Sequence, residues 1–289
     1  MGREATRGDV MIVVGVDGSR AGLEAVAWAA KEARLRDVPL RVAYAMPRWA
    51  CEDQGGRYAS VATWMREGAA TVVAAGLDRA RREEPEVVAD SALLPGDPRA
   101  ALIAASEQAE LLVVGNHEMG RLRGMLVGSV AYGVAGHARC DVVVVREAPP
   151  MTLGEVVVGV DGAGTGENVL RFAFTEARLR GVRLRVVHAF GTGPHEFAED
   201  RPELERLREL LTGWRERHQD VEVAEDLVKG HPAEVLRQAG ERADLLVVGS
   251  RGRGGFAGLV LGSISQAMLH QAPCPLVVVR TSPGTPHRG

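Results

Sequence analysis

The sequence predicts two tandem α/β domains, each doubly wound: a five-stranded parallel sheet with helices on both faces. Three observations predict it. The chain repeats itself, for Val13-Val14-Gly15-Val16-Asp17-Gly18 returns 144 residues later as Val157-Val158-Gly159-Val160-Asp161-Gly162, and Glu32-Ala33-Arg34-Leu35-Arg36 returns at the same offset as Glu176-Ala177-Arg178-Leu179-Arg180. Within each copy, short β-branched runs alternate with stretches of helical periodicity, as crossover helices between parallel strands require. The runs are also nearly continuous in apolar residues, which suits strands buried on both faces.

Taken in order, copy two offers strands at 155–160, 184–190, 221–227, 245–249 and 276–280. Between them lie helical stretches at 168–180, 202–218, 232–242 and 263–271, with apolar residues at helical spacing such as Val235, Leu236 and Ala239. Pro98 and Pro232 stand where a first helical residue belongs, behind Asp97 and His231 as N-caps. Leu111-Leu112-Val113-Val114-Gly115 matches Leu245-Leu246-Val247-Val248-Gly249 at an offset of 134, so copy two has lost ten residues upstream of this strand. Residues 147–153, with Pro149-Pro150, read as the joint, and the domains run over 10–147 and 154–281.

Composition narrows the function. A length of 289 residues suits two domains at roughly 150 residues each. A net charge of −3 supplies no field to hold a nucleic-acid backbone. Residues 1–9 form a polar leader without an apolar signal core, and no later stretch is apolar enough to span a bilayer, so a cytoplasmic protein with no membrane partner is expected. Cys51, Cys140 and Cys274 are far apart and odd in number, which reads as core thiols rather than disulfides or a zinc site. Only Lys31 and Lys229 are lysines, and neither follows a glycine, so the lysine-bearing phosphate loop is absent.

An open parallel sheet takes its ligand beyond the carboxyl ends of its strands, where the strand order reverses. Asp17 and Asp161 follow the first strands, each either a turn-former or an acceptor for ribose hydroxyls. After the fourth strand, copy two reads Gly249-Ser250-Arg251-Gly252, nine residues, then Gly262-Ser263 opening a helix. Glycines let the backbone approach a phosphate, and amides at a positive helix end can replace the missing lysine. Alternatively the loop is merely flexible, and Ser263 caps the helix with Gln266 completing a capping box. Arg251 and Arg253 are in reach of phosphates or are ordinary loop arginines. Gly162-Ala163-Gly164-Thr165-Gly166 has the wrong spacing for a dinucleotide fingerprint. His188, which replaces Tyr44 in the second strand, reads as a satisfied core or cleft histidine.

The strand-one Asp, Gly230-His231-Pro232, the glycine-serine pattern and the closing Pro275-Leu276-Val277-Val278-Val279 run together resemble the universal stress protein domain, and the chain resembles the family's tandem two-domain form of actinobacteria. The resemblance implies a Rossmann-like, adenine nucleotide alpha hydrolase-like sandwich. It also implies ATP as ligand, with Mg²⁺ as an accompanying ion, and a nucleotide-responsive regulator of stress or growth rather than a catalyst. The other classes are a nucleotide-free interaction module, a slow ATPase, or a ligase-like enzyme. Carried over by position, adenine lies on backbone Ala189, ribose on Asp161, and phosphates on Gly249, Gly252, Gly262, Ser263 and Ser265, with Arg251 alongside. In copy one the counterparts are Asp17, Ala45, Gly115, Gly128 and Ser129, but Glu118 replaces the second glycine and Ala131 replaces Ser265. Two unit charges about 4 Å apart repel by about 4 kcal/mol at an effective dielectric near 20, or about three decades of affinity. Copy two is therefore expected to be the stronger site, with copy one binding nucleotide more weakly or only with Mg²⁺ held by Glu118 against the phosphates. The family's last strand mediates pairing, so 142–145 and 276–279 are expected to make a pseudo-dimer of the two domains or a homodimer, with an unidentified protein partner downstream.

Overall fold

The computed structural model describes residues 10–52, 55–116, 127–146, 151–161, 166–191, 201–252 and 260–281, with 201–204 as backbone only. Its chain divides into two compact units, Met1–Arg146 and Glu147–Gly289. Unit 1 holds β1 (Met11–Gly15), α1 (Arg20–Arg36), β2 (Leu40–Met46), α2 (Arg48–Glu52), α3 (Ala59–Glu83), β3 (Ala89–Pro95), α4 (Pro98–Ala105), β4 (Ala109–Gly115), α5 (Ser129–His137) and β5 (Asp141–Val145). Unit 2 repeats the plan with β6 (Glu155–Gly159), α6 (Gly166–Arg180), β7 (Arg183–Phe190), α7 (Arg201–Arg217), β8 (Val223–Lys229), α8 (Pro232–Gly240), β9 (Leu245–Gly249), α9 (Ser263–Gln271) and β10 (Leu276–Val279). The strand order in unit 1 is β3-β2-β1-β4-β5 and in unit 2 β8-β7-β6-β9-β10. The described pairings within each sheet are parallel. The order reverses between β1 and β4, and between β6 and β9, which is where a doubly wound sheet opens its crevice.

Local sequence explains the elements. The central strands are Val- and Leu-rich and buried along almost their whole length. Edge strands β3 and β8 are not: they alternate half-buried and exposed residues, because one side of each has no neighbouring strand. This corrects the expectation of continuous apolar runs everywhere, and it moves the third strand of copy two from 221–227 to Val223–Lys229. Val221 is buried, but it lies in the preceding turn, where its N–H donates to His218 O at 3.1 Å.

Both proline starts are realised. Asp97 caps α4 by accepting from Arg99 N and Ala100 N, whereas His231 occupies the N-cap of α8 without a side-chain hydrogen bond. The repeated Glu-Ala-Arg-Leu-Arg motif is structural in both copies: Glu32 and Glu176 are buried in α1 and α6, each ion-paired to an arginine four residues on, Arg36 and Arg180. Helix α1 ends on Asp37 in the left-handed region at φ 54°, and past the end of α6 Gly181 adopts φ 64°. Cys140 and Cys274, at equivalent places, are buried, and Cys51 is half-buried. Burial pushes the Cys51 thiol pKa up from its ordinary value, opposed by Arg66 and Arg48. Among the described residues no helix is long and apolar enough to cross a membrane.

Candidate functional site

In unit 2 the carboxyl ends of β6, β7 and β9 and the starts of α8 and α9 line a cavity of about 600 Å³, within the range of roughly 300–1,000 Å³ typical of small-molecule sites. Its walls follow from the topology, since β6 and β9 are neighbours and their carboxyl ends deliver an acid and a glycine side by side. Asp161 follows β6, Ala189 lies near the end of β7, Gly249 closes β9, and Arg251 and Gly252 form the turn beyond it. Gly262, Ser263 and Ser265 stand where α9 begins. All of these line the one cavity.

The start of α9 decides what this wall can hold. Its N-cap is Gly262, extended at φ −72° and ψ 162°, with no side-chain hydrogen bond to the helix. Ser263 is the first helical residue, and Gln266 Nε2 donates to Leu261 O at 3.1 Å, so the capping-box alternative is not realised. The N–H groups of a first helical turn have no acceptor within the helix, and here they stand at a cavity wall where the helix dipole is positive. A Cβ at Gly252 would fall 2.8 Å from Asp161 Oδ2, so the turn passes close to the carboxylate and a larger residue there would displace it. Arg251, exposed at the rim, is the single Lys or Arg among the described lining residues.

Ser265 departs from the role the resemblance gives it. It is 1% exposed, and its hydroxyl donates within the loop, towards Gly262 O at 2.9 Å and Ser250 O at 3.1 Å. Its one proton is directed at the protein's own carbonyls, so the side chain braces the loop rather than reaching for a ligand.

Several wall residues escaped the sequence reading. Pro232 and Leu236 of α8, and Leu261 before α9, give the cavity its apolar side. Pro232 and Leu236 share a helix face at i and i+4, which was a usable signal once α8 was placed. His188 is buried in the wall, and its Nδ1 lies 3.0 Å from Val160 O. A carbonyl only accepts, so Nδ1 carries the proton and donates. It is thus both the core and the cleft histidine that its place in the strand suggested.

Unit 1 places its counterparts at the same strand ends with different detail. Asp17 is exposed, and its Oδ1 accepts the Ser19 N–H at 2.9 Å, so one carboxylate oxygen serves the turn. Ala45 is half-buried near the end of β2, Gly128 is the N-cap of α5, and Ser129 opens that helix. Gly115 ends β4, where a Cβ would lie 2.4 Å from Ala21 O. The start of α1 packs against it, so the absence of a side chain at Gly115 admits a helix backbone. At Gly249 the nearest atoms are instead Arg251 O, Thr281 Cγ2 and Val169 Cγ2, at 3.1 to 3.2 Å. Glu118, Arg253, Gly162-Ala163-Gly164-Thr165 and Pro149-Pro150 lie outside the described residues.

Comparison with known proteins agrees with this architecture. The Universal stress protein family profile matches residues 11–146 and again 153–280. Universal stress protein Rv2623 of Mycobacterium tuberculosis is 35% identical over 287 residues, covering 94% of this chain and 96% of that one. A Mycolicibacterium smegmatis universal stress protein is 34% identical over 293 residues, covering 93% and 96%. Among solved structures, a universal stress protein from Archaeoglobus fulgidus aligns with 96% of this chain and all of its own at a TM-score of 0.72 and 19% identity, a likeness of fold. Another universal stress protein, solved in complex with cAMP, aligns with 49% of this chain and 99% of its own at 27% identity and a TM-score of 0.39. With two successive segments matching one profile and relatives of the same tandem length, the chain belongs to the universal stress protein family.

Proposed function

We propose that the unit 2 cavity binds ATP and that the protein is a cytoplasmic, nucleotide-responsive regulator rather than a catalyst. The observation that carries this reading is the Gly262-capped start of α9, whose first-turn amides stand at the wall of a cavity that also holds Asp161. Backbone N–H groups at a helix start neutralise phosphate without a cationic side chain. Asp161 accepts ribose hydroxyls, and backbone Ala189 borders the base. Among the described residues no group of three or more His, Cys, Asp or Glu side chains could hold a metal ion. Mg²⁺ would enter with the phosphates, and Asp161 is the carboxylate lining the cavity that would face it. Unit 1 binds more weakly, in keeping with Glu118 in its sequence and the approach of α1 to Gly115.

Denaturing the purified full-length protein and analysing the released small molecules tests this directly, with calorimetric titration of the stripped protein as the second arm. An adenine nucleotide in the supernatant, and heat of binding on re-addition of ATP, are expected. No released nucleotide together with no titration heat refutes the reading and leaves a protein-interaction module.

A further inference from the structure

A small polar network lies beneath the glycine turn, and Ser250 is its hub. Ser250 N–H donates to Val279 O at 2.7 Å, and its carbonyl accepts the Gly262 N–H at 2.8 Å and faces the Ser265 hydroxyl at 3.1 Å. Its own hydroxyl accepts the Thr281 N–H at 3.1 Å and pairs with Thr281 Oγ1 at 3.1 Å. One residue thus ties together the end of β9, the start of α9 and the end of β10. Ser250, Ser265 and Thr281 are all buried, so the Ser250 and Thr281 hydroxyls replace their lost water by pairing with each other, and Ser265 does so through the Ser250 and Gly262 carbonyls.

Unit 1 keeps only the backbone part. At the offset of 134 residues, Ser250 becomes Asn116, Ser265 becomes Ala131 and Thr281 becomes Glu147. The Asn116 N–H still donates to Val145 O at 2.9 Å, but its Oδ1 is buried without a hydrogen-bond partner among the described residues. Ala131 has no hydroxyl to offer.

Resting on the reading of unit 2 as an adenine-nucleotide site, we propose that Ser250, Ser265 and Thr281 are positioning residues that fix the glycine turn against the start of α9, and that they set the affinity for the phosphate part of the ligand. Two groups of amides must converge on one anion, and they lie on segments joined through Ser250. An unbraced loop has to be ordered at the moment of binding, and that cost is subtracted from affinity. None of the network's hydrogen bonds reaches Ala189 of β7 or Asp161 after β6, which take the base and ribose, so the network acts chiefly on phosphate recognition. The same network explains why the two copies differ at three aligned positions beyond Glu118.

Titration of the full-length protein with ATP and, separately, with adenosine tests this in Thr281→Val, Thr281→Ser and Ser265→Ala. ATP affinity is expected to fall about tenfold in T281V and S265A, with adenosine affinity within about twofold of the parent. T281S, which keeps the hydroxyl, should restore ATP binding. Circular dichroism melting establishes that each variant is folded, and S265A decides the matter where T281V does not fold. Unchanged ATP affinity, or equal weakening of both ligands, overturns the positioning role. A parent protein that binds neither ligand overturns the nucleotide site itself, an outcome distinct from one that prefers ATP whether or not the network is intact.

Discussion

A methyl group at position 252 would sit 2.8 Å from Asp161 Oδ2, well inside contact distance. Gly252→Glu, which imitates the repeat's Glu118, therefore adds both a clash and a like charge. It is expected to lower ATP affinity by up to about three decades, taking about 4 kcal/mol of repulsion at 4 Å and an effective dielectric near 20. Titration calorimetry reads the loss, and an unchanged far-ultraviolet spectrum shows that the fold survives. Residue by residue, the site was legible where the spacing pattern fixes position, as with Asp161 after the β6 run and Gly252 and Gly262 between β9 and α9. It was not legible where a hydroxyl could turn either way: nothing in the string distinguishes a Ser265 aimed at a ligand from one aimed at Ser250 O. Gly115 is ambiguous for a related reason, because a glycine that admits a helix backbone looks the same in the sequence as one that admits a phosphate.

Helices were legible because one-sided burial imposes a period on them, and central strands because burial on both faces makes them continuous apolar runs. The edge strands were less so, since β3 and β8 need only half of their residues buried and the pattern there weakens. Other elements carry charge chemistry that periodicity hides. Glu176 of α6 is fully buried against Arg180. Arg180→Met removes an ion-pair partner from that buried carboxylate, and a loss of at most about 3–5 kcal/mol is expected, read as a lower urea midpoint. On the β2–β3 pair, Arg41 and Asp90 face each other in register and are joined by two hydrogen bonds of 2.8 and 2.6 Å. The hydrogen bond from Arg41 holds the Asp90 pKa below the usual carboxylate value, with burial opposing it. A depressed folded-state pKa contributes stability above the unfolded value, and that contribution is lost as the pH falls through the folded value. Asp90→Asn is therefore expected to be less stable than the parent at pH 7, by no more than about 1 kcal/mol for so exposed a pair. The difference should vanish below the pKa of Asp90, as urea melts across the acid range will show.

At the scale of the molecule, the repeat is the most informative property of the chain. It divides the protein into two units of one design and lets each copy serve as a control for the other. Only unit 2 combines a glycine at position 252 with the Ser250, Ser265 and Thr281 hydroxyls. One strong nucleotide site per chain is accordingly expected, with any second event weaker by about tenfold or more. Titration of the full-length protein to high ligand concentration checks this, and two equal sites would contradict it. The copies also carry a lesson for engineering. Asp37 sits at φ 54°, where the other copy uses Gly181 at φ 64°, and a side chain held in that region carries a steric penalty of roughly 1–2 kcal/mol, partly relieved for Asp. Borrowing the second copy's solution through Asp37→Gly should raise thermal resistance by at most about 1 kcal/mol, the greater freedom of the unfolded glycine taking back part of the gain. Each duplicated half thus records alternative answers to one folding problem, and exchanging them is a ready source of hardened variants.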